Sequence, residues 1–250
     1  MNDSDPTAAY LEAWRLTPEA QTVSTRTGEV TFVRTDDGRA AVLKIALVPE
    51  EQRGNALMDW WDSTASAHSL AQLGPAVLLE RACGPGSLLA IARDDDDAAT
   101  RVLAETARHL HVAPDRTVQL VPLRKWFADL LEASDQRYAD ARAIALRLLD
   151  DPVDEVVLHG DVHHENVLDF GAAGAPVWKA IDPKALVGES GFDYANLLCN
   201  PYETFEANHE HERLERRIGV VASVTGYTTE RLRDWHTVWH ALSEIWGGAA

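Results

Sequence analysis

LHGDVHHENVLDF, residues 158–170, puts three histidines, three acids and one asparagine into thirteen positions. Its apolar residues fall at the two ends, where the chain reads as short strands joined by a polar loop. Two chemistries want this many ionisable groups on one loop: metal hydrolysis and phosphoryl transfer. Polar loops without any chemistry are also common, so the flanking sequence has to separate these readings.

For a metal, His159, Asp161, His163 and His164 form an H-x-D-x-H-H pattern, and imidazole with carboxylate suits zinc. On an extended stretch His159, Asp161 and His163 share a side, but that spacing alone does not converge three ligands on one ion. The only nearby supplement is His209 and His211, which are two apart and do not share a helix face. Phosphoryl transfer needs a carboxylate to take the acceptor's proton, an amide and a carboxylate to hold Mg²⁺, and a strand lysine oriented by a helix glutamate. Asn166 follows Asp161 by five residues, and Asp182 follows Asn166 by sixteen, at the end of the strand VWKAID (177–182). GAAGAP (171–176) is the turn that would fold Asp182 back beside Asn166, so that both reach one ion. Upstream, Lys44 sits inside the apolar run AAVLKIAL (40–47), where a buried ammonium needs an anionic partner. Glu50 and Glu51 open the segment that follows.

The rest of the chain supplies a frame for those parts. QTVSTRTGEVTFVRT (21–35) alternates through Val23, Val30, Phe32 and Val33 with Gly28 as a break, and DDGR (36–39) is a turn signal before AAVLKIAL. PEEQRGNALMDWWDS (49–63) reads as a helix with Pro49 at its start, and PAVLLERA (75–82) as a further strand. CGPGS (83–87) is a breaker cluster and marks a boundary between residues 1–82 and 83–250. DDDDAATRVLAETARHLH (94–111) reads as a helix whose aspartates cap it. Residues 120–149 carry helical periodicity, and the chain is mostly helical from about Glu206, with Trp235 and Trp239 on one core face. The expected architecture is α+β: a small antiparallel-sheet lobe, a glycine- and proline-rich hinge, and a larger, mainly helical lobe. A cleft between lobes is a usual ligand site.

Composition narrows the partners. With 250 residues the chain can bury a sizeable core, and a net charge of −17 disfavours nucleic acid while favouring a polycationic small molecule. No stretch reads as a membrane span, and MNDSDPTAAYLEAW lacks the basic-then-apolar pattern of a signal peptide, so a cytoplasmic location is expected. Cys83 and Cys199 read as small apolar residues rather than a disulfide or zinc pair.

LHGDVHHENVLDF followed by AIDPKALVGESGFDYANLLCNP (180–201) resembles the aminoglycoside phosphotransferases, in particular the streptomycin 6-phosphotransferase and hydroxyurea phosphotransferase branch. VLKIA, EEQRGNALMDWW, VLLERA and the 94–111 helix extend the resemblance over nearly the whole chain in order and spacing. It implies a two-lobed, protein-kinase-like fold, ATP and Mg²⁺ as cofactors, and phosphorylation of a hydroxyl on a streptomycin-like aminoglycoside, on its guanidinium-bearing ring. Alternatives are a kinase of hydroxyurea or of another small hydroxylated metabolite, and a non-catalytic nucleotide-binding protein on the same fold. Carried over by position, Asp161 matches the catalytic base, Asn166 and Asp182 the Mg²⁺ ligands, and Lys44 with Glu51 the phosphate-binding pair. Glu80, Arg81 and Ala82 match the linker whose backbone bonds adenine, and Ser24 and Thr25 begin the loop over the phosphates. His159 and Asp193 match residues that brace the catalytic loop, and Glu189 lies where an acceptor could pass.

Overall fold

The structure is a computed structural model that describes residues 6–61, 64–115, 117–201 and 210–247. Glu206 and His209 lie outside the described residues.

The amino-terminal half is an antiparallel sheet with two helices on it. β3 (Gly28–Arg34) and β4 (Ala40–Ala46) pair through the DDGR turn, with Val30 opposite Lys44. Side chains alternate along a strand, so Ala41, Leu43 and Ile45 are buried on one face and Lys44 stands on the other. β6 (Ala76–Glu80) pairs with the far side of β4, β5 (Ser69–Leu73) with β6, and β1 (Thr17–Pro18) and β2 (Val23–Ser24) with β3. α2 (Pro49–Trp60) starts as the sequence indicates, with proline in its first turn and Glu50 and Glu51 just behind it. Two elements were illegible in the sequence. α1 (Pro6–Ala13) contributes Tyr10 and Leu11 to the apolar layer against the sheet, and β5 is a half-exposed edge strand with no clean alternation.

Beyond the linker, α3 (Leu88–Asp94) and α4 (Asp96–Leu110) follow in close succession. Asp95 caps α4 by accepting from the Ala98 amide. Its neighbour Asp96 takes a bidentate pair of bonds from Arg213, both 2.9 Å, so the acidic run also fastens a second helix. The helical reading of residues 120–149 is corrected by the structure. That stretch breaks into β7 (Val121–Pro122), α5 (Leu123–Trp126), α6 (Ala128–Glu132) and α7 (Ala139–Asp150). Val121 is drawn into a parallel pair with Leu186 of β11 (Leu186–Gly188), and Pro122 withholds a helix donor, so tertiary pairing overrides the local period.

One short hairpin and one longer-range strand pair carry the loop at 158–170. β8 (Val156–Leu158) pairs antiparallel with β11, and β9 (Val167–Asp169) with β10 (Trp178–Ala180), Val167 opposite Ala180. α8 (Gly191–Leu198) follows directly and is buried along its whole length. Its end is held by Arg217 of α9 (His211–Thr225), a fully buried guanidinium that donates to the Leu197 and Leu198 carbonyls at 2.7 and 3.0 Å and to Thr100 at 3.0 Å. α10 (Thr229–Gly247) packs Trp235 and Trp239 against Phe127 and Phe192, the core role expected for that pair.

The two halves meet where α2 touches the segment after β10. A Cβ built on Gly54 would lie 2.3 Å from the Pro183 carbonyl oxygen, so only glycine permits this approach. Gly54→Ala would gain helix propensity of about 1 kcal/mol and lose more to the clash with a backbone atom. We expect a lower urea midpoint at unchanged slope; an unaltered midpoint would show that the segment yields freely.

Candidate active site

The catalytic-type loop is fixed by one buried carboxylate. Asp193 of α8, with no solvent exposure, accepts from the His159 amide at 3.0 Å and the Gly160 amide at 2.7 Å, and bonds His111 Nε2 at 2.9 Å. Gly160 is held at φ +83°, a conformation that favours glycine. His159 is equally buried. Its Nδ1 accepts from the Asp161 amide at 3.2 Å, which leaves the proton on Nε2 to donate to the Ile181 carbonyl at 2.9 Å. Burial opposes a charge on this ring and outweighs the nearby carboxylates, so His159 titrates below its ordinary range. It ties the loop to the strand end at Ile181, one residue before Asp182.

The hairpin brings together the two oxygen donors expected to meet. Ile181 donates its amide to the Asn166 carbonyl at 2.8 Å, so Asn166 and Asp182 emerge side by side. Asn166 Nδ2 donates to the Asp161 carbonyl at 3.0 Å, and Asn196 Nδ2 donates to Asp161 Oδ1 at 3.0 Å. Among the described residues, Asn166 Oδ1 and Asp182 Oδ2 accept no hydrogen bond. That donor set, amide and carboxylate oxygen on one side of a hairpin, fits a hard divalent cation. Asp182 sits at φ +65°, a strained conformation for a residue with a side chain, of the sort concentrated at functional sites.

From the sheet, Lys44 reaches across the cleft. Its Nζ pairs with Glu51 Oε2 at 2.5 Å and with Asp182 Oδ1. Burial raises the cost of the Asp182 charge, but the Lys44 ammonium and its hydrogen bond outweigh this and hold the carboxyl below its usual range. Beside this cluster, Val30, Val42, Leu79, Ala82, Leu168, Phe170 and Ile181 line an apolar slot of about 140 Å³ between sheet and hairpin, with Lys44 and Asp182 at its polar end.

The remaining expected residues are placed as follows. Glu80 borders the slot, and its carboxylate bonds Lys179 Nζ at 2.5 Å and the His68 amide at 2.8 Å. The Arg81 side chain turns away to Glu19 at 2.7 Å. Ser24 and Thr25 are exposed at the β2–β3 end, outside the slot lining, where Thr25 closes the turn onto Gly28 at 3.0 Å. Glu189 corrects the acceptor expectation. It is 1% exposed, and its oxygens take Trp235 Nε1 at 2.8 Å, Arg231 at 2.5 and 2.7 Å, and the Val153 amide at 3.2 Å. A carboxylate so committed holds the helical lobe together. The zinc pattern does not assemble either: among the described residues no three histidine, cysteine, aspartate or glutamate side chains converge as a metal site, and the His159 ring faces the Ile181 carbonyl.

Sequence reading missed three residues at the site. Asp169, the last acid of the quoted loop, accepts from Gly86, Gly171 and Val177 amides at 2.8–3.0 Å and so clips the linker to the β9–β10 hairpin. Asn196 touches Asp161 directly, and only its place five residues before Pro201 in the helix after β11 hinted at it. Lys184, two after Asp182, enters the cleft from below with its Nζ 3.5 Å from both Glu50 and Glu51. A cavity of about 360 Å³ opens on Asp161, walled by Glu50, Lys184, Gly160, Trp126, Trp239 and Trp246.

Residues 13–249 match the family described as aminoglycoside/hydroxyurea antibiotic resistance kinase. The chain belongs to that family. It is therefore a kinase-type phosphotransferase, and the two-lobed expectation holds. It is 40% identical over 248 residues to a streptomycin 3''-kinase of Klebsiella pneumoniae, covering 94% of this chain and 90% of that protein. It is 31% identical to a streptomycin 6-kinase of Streptomyces glaucescens, covering 96% and 82%. Its fold is similar to the aminoglycoside phosphotransferase APH(3'')-Id from Streptomyces rimosus, solved with ADP and streptomycin (TM-score 0.58, 17% identity, 96% and 99% covered). It is also similar to a choline/ethanolamine kinase family protein from Mesorhizobium loti (TM-score 0.64, 15% identity, 98% and 82% covered).

The loop also sets an acid limit. Burial, then the charge of Arg217, lowers the pKa of His164 from 6.5 to about 3. Between those values the unfolded chain binds a proton that the folded chain refuses, so the cost is absent above pH 6.5 and grows as pH falls toward 3. His164→Leu should flatten the loss of stability in urea melts between about pH 6.5 and 4. An unchanged slope would locate the acid sensitivity elsewhere.

Proposed function

We propose that this kinase transfers the γ-phosphoryl group of Mg-ATP to a hydroxyl of streptomycin, and that the hydroxyl is at the 3'' position. The observation that carries the acceptor is the 40% identity, over nearly the whole of both chains, to a streptomycin 3''-kinase, against 31% to a 6-kinase. This moves the acceptor hydroxyl from the guanidinium-bearing ring expected from the sequence to the amino-sugar ring. The cavity beside Asp161 supports a cationic acceptor. Its indole walls stand edge to face, Trp126 to Trp246 at 5.3 Å and Trp239 to Trp246 at 5.7 Å, and Glu50 adds an anionic rim. Indole faces attract guanidinium and ammonium groups, and the net charge of −17 draws a polycation in.

In this reading residues 1–82 form the nucleotide lobe and 83–250 the acceptor lobe. Adenine enters the slot between Val30, Leu79 and Phe170, against the backbone of the 80–82 linker. Asn166 and Asp182 are the residues that would hold Mg²⁺, which when bound would supply positive charge against the phosphates. Lys44, oriented by Glu51, steadies the α- and β-phosphates. Asp161 accepts the acceptor's proton, its carboxylate aimed by Asn196. His159 and Asp193 keep that loop rigid, so most of the rate comes from positioning and electrostatics. Phosphate adds about −1.5 to −2 charges to the drug, which weakens its attraction to RNA. Among the described residues no helix is long and apolar enough to cross a membrane, and a cytoplasmic location, where ATP is supplied, is part of the proposal.

Asp161→Asn should lower kcat for streptomycin by roughly 10²–10⁴-fold while nucleotide affinity holds. Full turnover in that variant would remove Asp161 as the base. Product analysis by ³¹P-coupled NMR checks the position: phosphate on the 6-hydroxyl would replace the 3'' assignment, and no reaction with streptomycin would sink the acceptor.

A further inference from the structure

The cavity that opens on Asp161 contains a cation, Lys184, that the roles above leave unused. A cation is out of place in a cavity built for a polycation, unless an anion passes through it. Its environment is also loose. Lys44 holds Glu51 at 2.5 Å, whereas Lys184 Nζ stands 3.5 Å from Glu50 and 3.5 Å from Glu51, and among the described residues it donates no hydrogen bond to a protein acceptor. Its side chain is 20% exposed and lines the cavity with Asp161, so the ammonium is largely shielded from bulk solvent.

The main chain at Lys184 is not loose. Its amide donates to the His159 carbonyl at 2.6 Å, two residues before Asp161, and its Cβ packs 3.0 Å from where a Gly160 Cβ would stand. Two positions earlier in the chain, Asp182 pairs with Lys44. Lys184 is thus fixed at its base, held at its tip only by two ion pairs of 3.5 Å, and located between the Asp161 side and the Lys44–Asp182 side of the cleft.

We propose that Lys184 is a further catalytic residue, whose ammonium donates to non-bridging oxygens of the phosphoryl group as it crosses from nucleotide to acceptor. In that step the acceptor oxygen bonds to the γ-phosphorus, its proton goes to Asp161, and the β–γ bridging oxygen leaves on ADP with the bond's electron pair. Lys184 stays protonated throughout and forms no covalent bond. Glu50 and Glu51 hold the free ammonium in waiting, and the charge on the transferred group pulls it away from them. The proposal rests on the phosphotransfer reading of Asp161, but not on which acceptor is used.

The test compares wild type with Lys184→Met in three assays: phosphorylation of streptomycin, slow ATP hydrolysis with water as acceptor, and Mg-ADP titration. ADP lacks the transferred group. Expected is a fall in kcat of roughly 10²–10³-fold in both reactions, the size seen when one charge-stabilising donor is removed, with the Mg-ADP Kd changed by less than about threefold. Lys184→Arg should restore part of the loss in kcat. A Met variant with normal kcat and a raised streptomycin KM would make Lys184 an acceptor contact and overturn the proposal. So would parallel losses of turnover and Mg-ADP affinity, which mark a structural role. Should Lys184→Met fail to fold, Lys184→Gln is read on the same terms. A wild-type enzyme that hydrolyses ATP but ignores streptomycin removes the acceptor reading alone, and hydrolysis then decides the case of Lys184. A wild type with neither activity overturns both.

Discussion

Everything at the cleft depends on one ammonium placed between two carboxylates. Lys44 leaves a strand whose other face is core, and alone its charge would be costly there. Glu51 and Asp182 make the position tenable, one from a helix of the sheet lobe, the other from a hairpin of the helical lobe. Removing Lys44 would leave two partly buried carboxylates facing each other uncompensated, which is expensive, whereas the intact set adds little net stability. Such an arrangement is better understood as specifying a geometry than as holding the fold together. It fixes which part of the sheet lobe faces which part of the hairpin.

That geometry is defended from both sides. Gly54 lets α2 touch the Pro183 backbone, so Glu50 and Glu51 arrive at the cleft at a set height. Asp193 clamps the amides of His159 and Gly160, and Arg217 in turn clamps the end of the helix that carries Asp193. Asp169 ties the linker to the hairpin. Each is a buried polar group satisfied by several partners, the form in which low dielectric strengthens rather than penalises an interaction. The strained backbone at Asp182 is carried by this surrounding order.

The sequence made much of this legible, and the reason is local. Asn166 and Asp182 lie on neighbouring arms of a short hairpin, so counting residues across a glycine-rich turn suffices to bring them together. The strand Lys44 and the helix Glu51 are likewise close in the chain. The β3 and β4 strands around the DDGR turn, the proline start of α2 and the aspartate cap at α4 are local signals too, and they sit where the sequence put them, although Val23 and Phe32 of the expected alternation are exposed. The readings that failed are of another kind. Residues 120–149 look helical until Val121 finds Leu186, sixty-five positions away. Glu189 looks available until Trp235 and Arg231, from the last helix, occupy its oxygens.

The sequence by itself therefore determined the reaction type, through a resemblance to one kinase family over nearly the whole chain, together with the order and short-range spacing of Lys44, Glu51, Asp161, Asn166 and Asp182 and a net charge of −17. Only the tertiary structure decided which charges remain available. Glu189 is consumed inside the helical lobe, Lys184 is left loosely held in the cleft, and three tryptophans from distant helices come together as a wall. Hydrogen-bond capacity is used up by whichever donor arrives, and arrival depends on contacts between segments far apart in the chain. No local period records that.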